Sequence, residues 1–196
     1  MELILVRHAE PAERLSREAD RDDPPLSACG AVQAEAVAEW LLTSPIDAIV
    51  SSPALRARQT AAPLAARSGL LVHVDDRLRD ASPRSGGYVP IERDRVGDPD
   101  AYRARLRDYR EGTRLEQLAP RVEEALDEWI ARRPGGRLAV FCHGSVINVF
   151  AARVLGLAQP AFLEAGYASG HRFLISSGGL RSVRSLNETA YLAERG

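Results

Sequence analysis

The chain has 196 residues, 45% of them hydrophobic, and its 26 basic and 27 acidic side chains give a formal net charge of −1. A nucleic-acid-binding protein usually carries a large basic excess, because its affinity for the phosphate backbone grows with the number of phosphates it neutralises. The composition disfavours that class and also a disordered chain, which would be apolar-poor and strongly charged, so we expect one globular domain.

The basic residues are all arginines, and the chain contains no lysine. Mechanisms that depend on a lysine amine, such as Schiff-base formation or phosphate binding by a P-loop lysine, are therefore excluded. The fixed positive charges of any anion site in this protein must come from arginine.

Cysteine content and apolar runs indicate the compartment. Cys29 and Cys142 are too few for a disulfide framework and too far apart for a zinc site. The apolar run at residues 3–6 is too short for a signal peptide, and no run approaches the roughly 18 apolar residues of a membrane span. We expect a cytoplasmic protein without membrane or nucleic-acid partners. Its oligomeric state stays open, and a homodimer is one option.

Predicted strands and helices alternate along the chain. In order they are a buried strand at 3–6, a helix capped by Ser27, a strand at 46–50, a helix at 55–67 closed by Gly69, a strand at 70–74, a short helix at 100–110, an amphipathic helix at 115–130, a strand at 137–142, a helix at 144–155, and a hairpin of strands at 172–176 and 180–186. This alternation predicts an α/β fold, a three-layer α/β/α sandwich around a mainly parallel sheet.

One segment differs in amino-acid composition from the rest of the chain. Residues 81–112 are rich in proline, glycine and charge. We expect residues 1–196 to form a single domain in which this segment is a variable, lid-like insertion.

The ends of the predicted strands carry the chemistry. In open parallel sheets, ligands bind outside the carboxyl ends of the strands. Five polar residues follow the ends of four strands: Arg7, His8, Arg56, Asp80 and His143. Arginine presents a fork of donors that matches phosphate oxygens, and imidazole can act as a nucleophile or a charged donor. Each residue taken singly would more often be a surface or ion-paired side chain, but their joint placement predicts a phosphate pocket.

Five segments of the chain form an ordered set of motifs. They are Leu5-Val6-Arg7-His8-Ala9-Glu10, Leu26-Ser27-x-x-Gly30-x-x-Gln33-Ala34, Ser51-Ser52-Pro53-x-x-Arg56-Ala57-x-x-Thr60-Ala61, Leu78-x-Asp80 and Cys142-His143-Gly144. In this order they resemble the histidine phosphatase superfamily, the group that includes the cofactor-dependent phosphoglycerate mutases, and they cover most of the chain. The resemblance implies a phosphoglycerate mutase-like fold.

The resemblance also implies a role for each site residue. His8 would be the nucleophile that forms a phosphohistidine, and Asp80 would be the general acid and then the general base. Arg7, Arg56 and His143, the last expected to be protonated, would bind the phosphate oxygens and stabilise their charge. No metal and no cofactor would be required.

Two of the departures from the family pattern concern residues of the site. Pro11-Ala12-Glu13 stands where mutases carry a small hydroxyl residue and an Asn that line the site. The acid position, usually Glu, is Asp80, and Glu92 is an alternative acid.

Three functions follow from this resemblance. The first is a metal-independent phosphomonoesterase that hydrolyses a small phosphorylated metabolite through a phosphohistidine. The second is a phosphoglycerate mutase, which returns the phosphoryl group to another hydroxyl. The third, from another class, is a catalytically weak module that binds a phosphorylated ligand. A metalloenzyme that uses His8 and His143 as ligands is disfavoured, because Arg7 and Arg56 would repel a cation.

Other polar side chains have simpler interpretations. Arg103, Arg107 and Arg110 could face an anionic substrate, although a solvated helix face is the more ordinary interpretation of their spacing. His73 and His171 are expected to be structural, and Cys142 to be a buried apolar residue. Thr60 would help to hold the loop that aims Arg56.

Overall fold

The central sheet determines where the site lies. The computed structural model describes residues 1–12, 23–81, 95, 97–111 and 114–195. Within them, six strands form one sheet in the order β3-β2-β4-β1-β5-β6. The strands are β1 (Glu2–Arg7), β2 (Ala48–Ser51), β3 (Val72–Val74), β4 (Arg137–Cys142), β5 (Gly170–Ile175) and β6 (Arg181–Glu188). Neighbours pair in parallel from β3 to β1, and β5 is antiparallel to both β1 and β6. The predicted mainly parallel sheet and its terminal hairpin are confirmed.

Helices cover both faces of the sheet. They are α1 (Ala28–Leu41), α2 (Leu55–Ser68), α3 (Pro99–Glu111), α4 (Arg114–Ala131) and α5 (Gly144–Leu155). Leu3 and Leu5 of β1 pack in one core with α4 and α5, whereas Ile4 and Val6 pack in a second core with α1 and α2. Successive side chains of a strand point to opposite faces, so this division shows the three layers directly. The strand at the amino terminus is buried on both faces, as its sequence predicts.

Local signals set the helix ends as expected. The Ser27 side chain accepts a hydrogen bond from the Gly30 amide at 2.9 Å and caps α1. Gly69 follows α2 in the left-handed region at φ 72°, which glycine adopts without a steric penalty.

Every strand except β4 differs from its prediction by one or two residues at one or both ends. Strand β2 begins at Ala48, two residues later than expected, and β3 begins at Val72. The amide of Leu70 bonds to the Ser68 hydroxyl at 3.3 Å, so it continues the helix end and does not join the sheet. Apolar character alone does not show which residues of a run join the ladder of hydrogen bonds.

Nearly half of the expected lid-like segment lies outside the described residues. Residues 82–94, 96 and 112 belong to that part, whereas the predicted helix at 100–110 is present as α3. In the parts of the chain that the structure describes, no helix is long and apolar enough to cross a membrane.

Candidate active site

His8 lies directly after β1 and is 2% exposed. Its amide donates to the Cys142 carbonyl at 2.9 Å, which extends the pairing of β1 with β4 by one residue. The ring Nδ1 lies 2.8 Å from the Ala9 carbonyl oxygen. Since a carbonyl can only accept, Nδ1 carries the proton and Nε2 keeps its lone pair. Burial, the neighbouring His143 and the two arginines Arg7 and Arg56 hold the pKa of His8 well below its usual value, so the ring is neutral.

Arg7 is held beside His8 by the segment that precedes β5. Its Nη1 donates to the Ala165 carbonyl at 2.5 Å, and its guanidinium lies 4.2 Å from the centroid of the Tyr167 ring. The Tyr167 ring is also 5.7 Å from the ring of His8. Tyr167 therefore packs against both residues of the Arg7-His8 pair.

Arg56 lies in the first turn of α2 and is 4% exposed. The Thr60 hydroxyl donates to the Arg56 carbonyl at 2.7 Å and accepts from the Ala9 amide at 2.9 Å. Thr60 therefore links the loop after β1 to the helix that carries Arg56, which explains why both motifs contain these residue types.

The Glu10 segment is tied to α1 in a similar way. Ser27 donates its hydroxyl to the Glu10 carboxylate at 2.6 Å, and the Glu10 amide donates to the Gln33 side chain at 2.9 Å. Gly30 approaches so closely that a Cβ atom there would lie 2.0 Å from the Glu10 carbonyl oxygen. The second motif therefore holds the loop that follows His8.

His143 follows β4 and is 1% exposed. Its ring centroid is 5.3 Å from that of His8, and Nη2 of Arg56 lies 3.4 Å from its Nδ1. Burial lowers the pKa of His143 to about 3; the Asp80 carboxylate opposes this shift and the Arg56 guanidinium adds to it. With the protein's own charges alone the ring is therefore neutral, and protonation of His143 beside a phosphate stays a prediction.

The two carboxylate oxygens of Asp80 have different neighbours. Its Oδ1 accepts from the Ser145 hydroxyl at 2.5 Å and from the Ala81 amide at 2.8 Å. Its Oδ2 lies 3.7 Å from Nη2 of Arg56 and 3.9 Å from Nδ1 of His143. The side chain therefore directs one oxygen to Ser145 and Ala81 and the other to His143 and Arg56. Glu92, the alternative acid, lies outside the described residues.

The structure brings the predicted residues together at the carboxyl ends of the parallel strands. Arg56 contacts both His143 and Asp80, the rings of His8 and His143 are neighbours, and the charge of Arg7 acts on both histidines. Two fixed positive charges beside two neutral imidazoles can bind an anion and leave one ring nitrogen nucleophilic. Among the described residues, no group of three or more His, Cys, Asp or Glu side chains is placed to hold a metal ion.

Sequence analysis did not identify the side chains of several other residues in this region. Asp23, Tyr109, Arg121, Ser145 and Tyr167 all contact or act on the predicted site residues. Ser145 carried a weak signal, because it opens a helix directly after His143-Gly144. The other four lie in loops or on helices where nothing in the local sequence separates them from surface residues.

The three arginines considered for contact with an anionic substrate lie on an exposed side of α3. Arg103, Arg107 and Arg110 are exposed, and Arg103 pairs with Asp100 at 2.6 Å, which is the solvated helix face of the ordinary interpretation. Tyr109 packs against the core on the other side of α3, and burial together with the Asp80 charge raises the pKa of its phenol.

The remaining cysteine and histidine predictions agree with the structure. Cys142 is fully buried, and burial raises the pKa of its thiol. His171 accepts a hydrogen bond at Nδ1 from the Asn187 amide at 3.2 Å, and its Nε2 lies 3.0 Å from the Ser169 hydroxyl. His73 packs against Trp129 with ring centroids 5.3 Å apart.

Known proteins resemble this chain over most of its length. A probable phosphoglycerate mutase GpmB of Yersinia enterocolitica is 30% identical over 168 residues, which are 82% of this chain and 78% of that protein. The mycobacterial glucosyl-3-phosphoglycerate phosphatase superposes with a TM-score of 0.76 at 27% identity, covering 96% of this chain and 99% of the other. A phosphoserine phosphatase from Entamoeba histolytica has the same fold, with a TM-score of 0.71 at 20% identity over 97% of this chain and 98% of its own.

A family model settles the classification. The model that describes the histidine phosphatase superfamily (branch 1) matches residues 3–189. This span contains all five motifs and every residue of the site, so the chain belongs to the histidine phosphatase superfamily.

Proposed function

We propose that this protein is a metal-independent phosphomonoesterase that hydrolyses a small phosphorylated metabolite through a phosphohistidine at His8. The observation that carries the proposal is the state of His8. Its Nδ1 is committed to the Ala9 carbonyl, and burial and the adjacent positive charges keep the ring unprotonated. In this neutral tautomer Nε2 is the unprotonated nitrogen, and it lies in the same site as two arginines, as a nucleophile for phosphorus requires.

Arg7, Arg56 and His143 bind the non-bridging oxygens of the phosphate in this proposal. The two guanidinium groups supply fixed positive charge to the oxygens as charge develops in the transition state. A phosphate dianion beside His143 raises the pKa of the imidazole, because a nearby negative charge favours the protonated ring. His143 would then take up a proton at Nδ1, the nitrogen that faces Arg56 and Asp80, and donate it to a phosphate oxygen.

The first half-reaction transfers the phosphoryl group to the enzyme. Nε2 of His8 attacks phosphorus while the bond from phosphorus to the ester oxygen breaks. The electron pair of that bond goes to the leaving oxygen, which takes a proton from the carboxyl group of Asp80. The products are the free alcohol, phospho-His8 and the Asp80 carboxylate.

The second half-reaction regenerates His8. The Asp80 carboxylate accepts a proton from water as the water oxygen attacks phosphorus, and the bond from phosphorus to Nε2 breaks with its electron pair returning to nitrogen. Inorganic phosphate leaves, and Asp80 is again protonated for the next turnover.

A mutase is the second candidate, because a relative at 30% identity is named a probable phosphoglycerate mutase. We favour the phosphatase for two reasons. Pro11 and Ala12 stand where mutases carry polar substrate contacts, and the mycobacterial structural relatives are named as phosphatases of glucosyl-3-phosphoglycerate. Phosphoglycerate-type esters are therefore the first substrates to test.

A phosphate-release screen tests the proposal. Glucosyl-3-phosphoglycerate, 3-phosphoglycerate, phosphoserine, sugar phosphates and nucleotides are each incubated with the wild-type protein and with His8→Ala as the blank. The proposal predicts release of inorganic phosphate that EDTA does not reduce and that His8→Ala abolishes. Interconversion of phosphoglycerate isomers without phosphate release, dependent on a bisphosphate primer, would instead identify a mutase. Tight phosphate binding without turnover on any ester would identify the binding module.

A further inference from the structure

We propose that Ser145 is a positioning residue for catalysis, which fixes the Asp80 carboxyl so that Oδ2 alone delivers the proton to the leaving group. This inference rests on the proposed phosphatase function. Ser145 is the second residue of α5, is 3% exposed, and donates its hydroxyl to Oδ1 of Asp80 at 2.5 Å.

The hydrogen bonds around Ser145 give its hydroxyl a direction. The Ala81 amide lies 3.3 Å from the Ser145 oxygen and 2.8 Å from Oδ1 of Asp80. An amide can only donate, so it fills acceptor positions on both oxygens. The proton of the Ser145 hydroxyl is then left to point at Oδ1, which receives two donors.

Two donors at Oδ1 decide where the acidic proton resides. A proton on Oδ1 would face the Ser145 hydroxyl and the Ala81 amide and would lose one of those hydrogen bonds at a partly buried position. A proton on Oδ2 keeps both. Oδ2 is also the oxygen near Arg56 and His143, at 3.7 and 3.9 Å. The proton is therefore held on the side of the phosphate pocket.

The backbone of Asp80 is held from a second direction. Arg121 of α4 donates to the carbonyl of Arg77 at 2.8 Å and to that of Arg79 at 2.9 Å, and its Nη2 lies 3.4 Å from the Asp80 carbonyl oxygen. Arg121 fixes the loop, whereas Ser145 and Ala81 act on the Asp80 side chain itself through Oδ1. Ser145 acts through its side chain, whereas Ala81 acts through its backbone amide. Substitution can therefore remove the hydrogen bond from Ser145 but not the one from Ala81.

This role predicts a dependence on the leaving group. Protonation by Asp80 matters when the leaving alcohol is a poor one, as in an alkyl phosphate, and matters little for p-nitrophenyl phosphate, whose phenolate leaves without a proton. Ser145→Ala should lower kcat/KM about tenfold for alkyl esters, a small part of what general acid catalysis contributes, and less than about twofold for p-nitrophenyl phosphate. We use kcat/KM because it reports the steps up to release of the alcohol.

The experiment compares four variants on glycerol 3-phosphate, or the best alkyl ester of the screen, and on p-nitrophenyl phosphate. Asp80→Asn should show the same leaving-group selectivity as Ser145→Ala but more strongly. Ser145→Thr keeps the hydroxyl and should restore the alkyl-ester rate. Ser68→Ala, at the end of α2, removes a hydroxyl far from the site and should change neither rate. Thermal unfolding verifies that each variant is folded.

The outcomes separate this inference from the function on which it rests. Equal loss on both esters, or no loss on either, in a folded Ser145→Ala variant would overturn the role of Ser145 while leaving the phosphatase intact. Should Ser145→Ala fail to fold, Ser145→Cys provides the same comparison, because a thiol fills a similar volume and donates weakly. Full activity in His8→Ala would instead overturn the proposed function itself.

Discussion

The hydroxyl oxygen of Ser52 lies 2.8 Å from Nε2 of His143, and both side chains are buried. Arg56 approaches Nδ1 of the same ring at 3.4 Å and can only donate, so Nδ1 accepts and the proton of the neutral ring resides on Nε2. His143 therefore donates to Ser52. The Ser51-Ser52-Pro53 motif thus fixes the tautomer of a histidine that lies 91 positions further along the chain.

Ser52→Ala removes the acceptor of that hydrogen bond. Loss of one buried hydrogen bond of about 1 kcal/mol leaves Nε2–H without its partner and frees the ring to turn away from the phosphate. We expect kcat/KM to fall about fivefold to tenfold and the inhibition constant of inorganic phosphate to rise by a similar factor. Steady-state kinetics with phosphate as inhibitor measures both, with Ser68→Ala as the matched control. A wild-type inhibition constant in a folded Ser52→Ala variant would contradict this role.

Asp23 combines a helix cap with a contact to the anion site. Its two carboxylate oxygens accept from the Leu55 amide at 2.8 and 2.9 Å, and its Oδ1 lies 3.4 Å from Nη1 of Arg56. Ala54, the N-cap residue of α2, has no side chain that could serve instead. The same carboxylate therefore stabilises the helix and places a negative charge beside the proposed phosphate site.

Asp23→Asn and Asp23→Ala separate these two effects. Asp23→Ala should lower the free energy of unfolding by about 1 kcal/mol, because the cap is lost, whereas Asp23→Asn keeps an acceptor and should retain most of that stability. Both remove a negative charge, so inorganic phosphate should bind about twofold to threefold more tightly at low salt and less so at high salt. Urea denaturation and phosphate inhibition at two ionic strengths provide the measurements. Weaker phosphate binding in Asp23→Asn would show that the carboxylate mainly orients Arg56.

Gly30→Ala tests the close approach of α1 to the loop after His8. The added Cβ would lie 2.0 Å from a backbone oxygen, that of Glu10, so the loop must move. We expect the free energy of unfolding to fall by about 1–3 kcal/mol, as for overpacking, even though alanine is the better helix former. Activity should fall as well, because the displaced loop carries Ala9, the hydrogen-bond partner of His8. An unchanged urea midpoint with full activity would show that the helix can shift without affecting the site.

Buried histidines make the fold sensitive to acid. Burial, together with nearby positive charge, lowers the pKa of His8, His143 and His171 in the folded protein, whereas an unfolded histidine titrates near 6.5. Below about pH 6.5 the unfolded chain binds more protons than the folded one, so the free energy of unfolding decreases as the pH falls. The slope approaches about 1.4 kcal/mol per pH unit for each histidine.

His171 is the histidine to substitute in this test, because it lies outside the proposed catalytic group and its pKa is lowered to about 3. In His171→Asn the side-chain oxygen can accept from the Asn187 amide, and the titrating group is gone. Urea denaturation at pH 7, 6 and 5 should show a less stable variant at pH 7 whose stability falls less steeply than that of the wild type. Parallel curves for the two proteins would contradict a pKa shift at His171.

The sequence allowed the layers, the sheet and the main site residues to be predicted. Continuous apolar runs such as residues 3–6 identify strands buried on both faces, and the strand-end rule then brings His8, Arg56 and His143 to one edge. These inferences succeed because they depend on periodicity and on chain order, both of which a single sequence contains.

Other features depend on three-dimensional neighbours that no local pattern encodes. Tyr167 reaches Arg7 and His8 from a loop 160 positions away, and the protonation of His143 follows from its burial and from the balance of Asp80 against Arg56. For the arginines of α3 two interpretations stayed open in the sequence, because helical spacing defines a shared face but not the direction in which that face points.

Detection of the phosphoenzyme is the most direct test of covalent catalysis by His8. The protein is mixed with a radiolabelled phosphate ester, quenched in alkali, in which phosphohistidine survives, and digested for mass spectrometry of the peptide that contains residues 3–9. We expect one labelled phosphoryl group on His8 in the wild type, a longer-lived label in Asp80→Asn, and none in His8→Ala. Turnover without label on His8, or label on a different residue, would contradict it.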